Sequence, residues 1–252
     1  MNESHFSTTR QNNGQASASS KITAVIFDYG LVLARSPTKQ EFERMAAHFD
    51  ATFDVFYRLW ETSRNLYDRG DVSAEEYWLK LATQTNRSLD SSQIDELRKI
   101  EVEIWAHPDP EMLEWVEQLH DAGIKLALLS NMPLDLAAYV RSNFRWLDKF
   151  TFKTFSAEVR LIKPDPAIYE HTLRGLGVSA NEALFIDDRE PNIRAASALG
   201  MSGIQFSSIL QMKAELETLN FSPLPRTVHS NTTSSGSERT KQHSGPEIKF
   251  QL

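Results

Sequence analysis

The sequence predicts an α/β protein, a parallel sheet covered by helices on both faces and interrupted by an all-helical insert. Three observations lead there. Brief apolar runs recur along the chain and end in polar or glycine residues, as strands buried on both faces do. Segments with helical spacing follow most of these runs, the alternation that builds parallel sheets. One interval, residues 36–106, has helical spacing throughout and no strand-like run.

Residues 1–20 are rich in Ser, Asn, Gln and Thr and read as a disordered tail. Residues 21–35 open the core, with ITAVIF at 22–27 as its first strand. The insert at 36–106 carries amphipathic helices over QEFERMAAHF, FDVFYRLWETSRNLY, SAEEYWLKLATQ and SSQIDELRKIEVEIW. Its aromatics are Phe42, Phe49, Phe53, Phe56, Tyr57, Trp60, Tyr67, Tyr77 and Trp78, and at helical spacing most of them read as the core of a small bundle. The alternation resumes over 107–222. There EMLEWVEQLHDAG precedes a strand at IKLALL (124–129), LDLAAYVRSNF precedes a strand near 151–155, and PAIYEHTLRGLG precedes one at ALFI (183–186). NIRAASALG then leads to a last strand near 203–206, and residues 223–252 have the polar character of a second disordered tail.

Composition bounds the function. The 252 residues are 40% hydrophobic and 24% charged, ordinary globular usage. A net charge of −7 argues against a general affinity for nucleic acid or anionic membrane and points to a small substrate. With no cysteine, disulfides, thiolate metal sites and cysteine nucleophiles are excluded, which fits a reducing compartment. The first twenty residues lack the apolar stretch of a secretory signal and no apolar run is long enough to span a bilayer, so the expected location is the cytoplasm.

In open parallel sheets ligands bind beyond the carboxyl ends of the strands. Asp28 follows ITAVIF, Ser130 follows IKLALL, Asp187 and Asp188 follow ALFI, and Lys163 lies in a loop before Pro164, which holds it extended. Taken singly, Ser130 reads as a cap for the helix near Pro133, Asp188 as a cap near Pro191 and Lys163 as a surface charge, while Asp165 is a helix cap. Together they bring a nucleophilic carboxylate, a hydroxyl, an ammonium and a carboxylate pair to one rim. That set suits phosphoryl transfer. Carboxylates from two strands can hold Mg²⁺, Lys163 and Ser130 can meet phosphoryl oxygens, and Asp28 can attack phosphorus to give an aspartyl-phosphate. Neighbouring strand residues face opposite ways, so Asp188 is assigned to the metal and Asp187 to its support.

The stretches VIFDYGLVL, LLSNM, IKPDPAIYEHTL and LFIDDREPNIRAASALGM, in that order over residues 21–210, resemble the haloacid dehalogenase superfamily, in particular its phosphatases with a helical cap after the first strand. The resemblance implies a Rossmann-like core, a mobile cap at 36–106, Asp28 as nucleophile and metal ligand, and Ser130, Asn131 and Lys163 as phosphate binders, Lys163 also serving catalysis. It further implies a Mg²⁺ site of Asp28, the Gly30 carbonyl, Asp187 and Asp188, with a small phosphorylated metabolite as substrate. One position departs from the pattern. Most phosphatases of the superfamily carry a second Asp two residues after the nucleophile as general acid and base, and here that residue is Gly30. General acid catalysis contributes ~10²- to 10⁴-fold, so a slow enzyme or a good leaving group is expected. A similar branch with this Asp-x-Gly form, including GDVSAEEYW at 70–78, contains phosphatases of sugar 1-phosphates such as glucose 1-phosphate. Two other readings stand beside it: a metal-free hydrolytic dehalogenase, disfavoured by the acidic pair, and a non-enzymatic binding protein, favoured only by Gly30. Tyr67, Asp68 and His107 are candidate proton donors and equally ordinary packing or surface residues.

Overall fold

The computed structural model describes residues 21–226, so the tail expectations for residues 1–20 and 227–252 lie outside the described residues. The chain opens with β1 (Ala24–Phe27) and then runs through four helices, α1 (Lys39–Ala46), α2 (Phe53–Asp68), α3 (Ala74–Gln84) and α4 (Ser91–Trp105). Next come α5 (Pro110–Asp121), β2 (Lys125–Ser130), α6 (Leu134–Asn143), β3 (Phe152–Phe155), α7 (Ser156–Val159) and α8 (Pro166–Leu176). The fold closes with β4 (Ala183–Asp187), α9 (Glu190–Ala198), β5 (Ser202–Gln205) and α10 (Ile209–Thr218). Each expected strand and helix has its counterpart; α7 and α10 were not anticipated.

The five strands form one parallel sheet in the order β3-β2-β1-β4-β5. The apolar runs are continuous because both faces are covered. On one face Val25, Phe27, Leu126, Leu128, Leu184 and Ile186 pack with Met112, Trp115 and Val116 of α5 and with Met212 and Leu216 of α10. On the other, Ala24, Ile26, Ala127, Leu129 and Phe185 meet Ile168, Tyr169 and Leu173 of α8 and Ala196 of α9. Each fully buried Leu, Ile, Val or Phe contributes about 1.5–3 kcal/mol, so these two faces carry the core. Strand order reverses on either side of β1, the place where an open α/β sheet leaves a crevice at its carboxyl edge.

Helices α1–α4 form a helical cap with an apolar core of its own. Three of them begin with reciprocal caps: Thr38 with Glu41, Ser73 with Glu76, and Asp90 with Gln93. Phe42, Phe49, Phe56, Trp60, Tyr67, Tyr77 and Trp78 are buried in that core, and Phe53 and Tyr57 are half-buried at its edge. An ionic cluster lies inside as well. Arg64 pairs with Asp68 at 2.7 Å and with Glu101, and its guanidinium lies over the Trp60 ring at 4.5 Å. The two segments joining cap to core run side by side, Asp109 N donating to Leu33 O at 2.8 Å and Arg35 N to His107 O at 2.9 Å. Residues 223–226, which the sequence reading places in the tail, include a carbonyl, Pro223 O, that accepts from Trp115 Nε1 at 3.0 Å. Among the described residues no helix is long and apolar enough to cross a membrane.

Candidate active site at the carboxyl edge of the sheet

Register brings the acids together. Phe27 pairs with Ile186 across β1 and β4, so Asp28, one residue on, leaves the sheet level with Asp187, and Asp28 N donates to Ile186 O at 2.9 Å. Carboxylate oxygens of Asp28, Asp187 and Asp188 lie within 4.8 Å of one another. Lys163 reaches in from the loop before α8, through a cis Lys163–Pro164 bond, and its Nζ stands 2.9 Å from Asp28 Oδ1 and 2.6 Å from Asp187 Oδ2. Its side chain is 1% exposed, so this ammonium has exchanged water for carboxylates.

The acids are not equivalent. Asp187 is wholly buried and saturated: besides Lys163 it accepts from Asn192 Nδ2 at 2.9 and 3.0 Å and from Arg189 N at 2.8 Å. Asp188 is half-buried and does not cap α9, whose capping residue, Arg189, makes no side-chain cap bond. Ser130 likewise does not cap α6, which starts at Pro133 without a side-chain cap. Asp165 does cap α8, accepting from Ala167 N at 2.9 Å.

Burial pushes the Asp28 carboxyl up to about 6, with Asp187 adding to the rise and Lys163 and the Tyr29 N–H opposing it. Burial, then the charges of Asp28 and Asp187, push Asp188 up to about 7. Burial works against the Lys163 ammonium, but Asp187 and Asp28 outweigh it and hold the amine above its usual range. With all three carboxyls ionised, one ammonium leaves the site two positive charges short, and the donors at hand are all oxygens. A hard divalent cation of the Mg²⁺ type fits that deficit and that donor set.

Ser130 ends β2 and is buried at this edge, paired across the ladder with Phe155. Asn131, expected as a phosphate contact, uses its side chain to hold Lys163. Its amide bonds the Lys163 backbone in both directions, Nδ2 to Lys163 O at 3.0 Å and Oδ1 from Lys163 N at 2.9 Å, which holds the lysine loop against β2. Asn192, missed in the sequence, orients Asp187 and is steadied by Tyr169, whose hydroxyl donates to Asn192 O at 3.1 Å. Its signal was its place in the first turn of α9, five residues beyond Asp187. The candidate proton donors have other company. Tyr67 stacks on Tyr77 at 4.4 Å inside the cap, Asp68 is locked to Arg64, and His107 is exposed on the linker.

The cap meets this edge at several places, two of them next to the acids. Glu61 of α2 stands 3.7 Å from Arg189, and the indole of Trp105, the last residue of α4, lies over Gly30. Tyr29, between Asp28 and Gly30, donates its hydroxyl to Trp105 O at 2.6 Å and its backbone N–H to Asp28 Oδ1 at 2.6 Å.

Known proteins share parts of this chain's sequence and its fold. The chain is 29% identical over 154 residues to sesquiterpene phosphatase astK of Aspergillus oryzae, covering 61% of this chain and 76% of that protein. It is 26% identical over 223 residues to (S)-2-haloacid dehalogenase 4A of Burkholderia cepacia, covering 83% and 91%. Among solved structures, the HAD family enzyme bt-2542 of Bacteroides thetaiotaomicron, in complex with magnesium and inorganic phosphate, superposes with a TM-score of 0.57 at 22% identity, over 74% of this chain and 94% of that one. Residues 22–200 match the haloacid dehalogenase-like hydrolase family, and the chain is a member of it.

Proposed function

We propose that the chain is a Mg²⁺-dependent phosphomonoester hydrolase that works through an aspartyl-phosphate on Asp28. The observation that carries this reading is the buried cluster itself, in which Asp28 shares Lys163 with Asp187 and lies within metal-sharing distance of Asp187 and Asp188. Asp28, Asp188 and the Gly30 carbonyl would hold the cation, with Asp187 as the fixed anchor behind them. When bound, the ion supplies positive charge to phosphoryl oxygens and to the transition state.

The chain's own residues supply the rest. Lys163, with its aliphatic stem buried and its ammonium fixed between two carboxylates, pairs a phosphoryl oxygen and keeps Asp28 oriented. Ser130, at the end of the neighbouring strand, hydrogen-bonds a second oxygen. Asp28 attacks phosphorus through one carboxylate oxygen, the bond to the leaving oxygen breaks, and water then releases phosphate and regenerates the carboxylate. The cap covers this edge and excludes bulk water during the step.

The substrate is a small phosphorylated metabolite. A sugar 1-phosphate such as glucose 1-phosphate is the first candidate, since an anomeric oxygen leaves readily without a strong acid. An isoprenoid alcohol phosphate is the second candidate, supported by the relative named as a sesquiterpene phosphatase. Dehalogenase chemistry is the rival, because a 2-haloacid dehalogenase aligns over most of the chain. A panel of sugar and isoprenoid phosphates and of 2-haloacids, with Mg²⁺ and with a chelator, separates the two. Phosphate release that stops in the chelator is expected; halide release unaffected by the chelator overturns the reading.

A further inference from the structure

The family's usual acid and base stands where this chain has Gly30, and the structure shows what fills the space. A Cβ built on Gly30 would lie 3.3 Å from Trp105 Cζ3, 3.6 Å from Cη2 and 3.9 Å from Cε3. The first distance is tighter than ordinary contact, so even a methyl group there requires the indole to give way. Backbone conformation does not demand glycine at this position, since Gly30 is outside the left-handed region. The three atoms nearest to that Cβ all belong to the ring.

That ring is held in place. Trp105 is half-buried and packs against both the sheet's apolar cluster and the cap's. Its carbonyl accepts from Tyr29, whose ring is buried and stacked on Trp146 at 6.4 Å, nearly parallel to it. The residue next to the nucleophile therefore fixes the residue that closes off position 30.

We propose that Trp105 occupies the place of the missing acid side chain: with its indole against Gly30, position 30 cannot carry a proton donor, and turnover stays restricted to phosphate esters whose leaving oxygen departs as an anion. This rests on the phosphatase reading above. The step balances without an acid. Asp28 forms the new bond to phosphorus, the leaving oxygen takes the electron pair of the broken P–O bond, and it collects its proton afterwards from solvent. Water then cleaves the aspartyl-phosphate, yielding phosphate and a proton to solvent. Alcohols that are poor leaving groups are excluded because Gly30 offers no acid side chain to protonate them in the transition state.

The test is the dependence of kcat/KM on leaving-group pKa across aryl and alkyl phosphates at saturating Mg²⁺. It is measured for the wild type, Gly30→Asp, Trp105→Ala and the double variant, with circular dichroism to confirm folding. The wild type and Trp105→Ala should both fall steeply as the leaving group worsens. Gly30→Asp should stay steep because the ring denies the new carboxyl its place. The double variant should flatten, gaining at least about tenfold on alkyl phosphates over Gly30→Asp, toward the ~10²- to 10⁴-fold range of general acid catalysis. Trp105→Leu with Gly30→Asp provides a second, more conservative pair if the first folds poorly. A shallow wild-type dependence, or a Gly30→Asp single variant as flat as the double, overturns the role of Trp105 and leaves the phosphatase reading intact. No turnover of any ester by the wild type overturns both.

Discussion

At the scale of single residues, the site is held by opposite charges that are largely buried. Lys163 is the only cation in contact with Asp28 and Asp187 among the described residues, and both of its ion pairs are buried. Removing one partner of a buried pair costs about 3–5 kcal/mol, because the charge left behind is neither paired nor hydrated. Lys163→Met should therefore destabilise the metal-free protein by about that much in denaturant unfolding, and added Mg²⁺ should restore part of it. A loss under about 1 kcal/mol would mean that the three carboxylates protonate or separate easily enough to need no counter-charge. Asp28, Lys163, Asp187 and Asp188 were legible in the sequence because each directly follows an apolar run or stands in a constrained Pro-flanked loop. Asn131 and Asn192 were not legible as supports, since a side-chain amide announces its partner only once the loops are folded.

At the scale of elements, local signals and tertiary ones divide cleanly. The reciprocal cap at Thr38 and Glu41 belongs to the first kind, and Arg35 reinforces it with two bonds to the Glu41 carboxylate. The Arg35 hydrogen bond, with the Thr38 backbone and hydroxyl, holds the Glu41 carboxyl down at about 2 against the cost of its partial burial. A carboxyl whose folded pKa is depressed contributes stability that is present above its ordinary value of 4.5 and lost as pH falls toward 2. Glu41→Gln should thus be less stable than the wild type by about 1 kcal/mol or less at neutral pH, with the gap closing between pH 4.5 and 2. An unchanged gap across that window would assign the effect to packing. Strands β1, β2 and β4 were readable because burial on both faces leaves an uninterrupted apolar run. Helix α7 is four residues long, too short to show a period, and α10 follows a Ser-Ser pair and buries only Met212 and Leu216.

At the scale of the whole molecule, the sheet gathers the acids beside the cap, so an ion held by them would link its binding to folding. An ion that binds only the folded chain stabilises it by about 2.7 kcal/mol at a hundred times its Kd. Mg²⁺ should raise the Tm of the wild type with concentration, and Asp188→Asn should lose most of that rise. A wild-type Tm indifferent to Mg²⁺ would argue that the acidic cluster is a structural ion network. The contact between Trp105 and Gly30 also belongs to this scale. The sequence singled out Gly30 but not Trp105, because the relation between them depends on how the far end of the cap returns to β1.

The central claim, that Asp28 takes up the phosphoryl group, is tested most directly by quenching turnover of an aryl phosphate with acid and weighing the peptide that contains residue 28. With Mg²⁺ that peptide should be one phosphoryl group heavier, and neither Asp28→Asn nor the chelator-treated wild type should show the increment. A phosphoryl group on another residue, or full phosphate release by purified Asp28→Asn, would contradict the account.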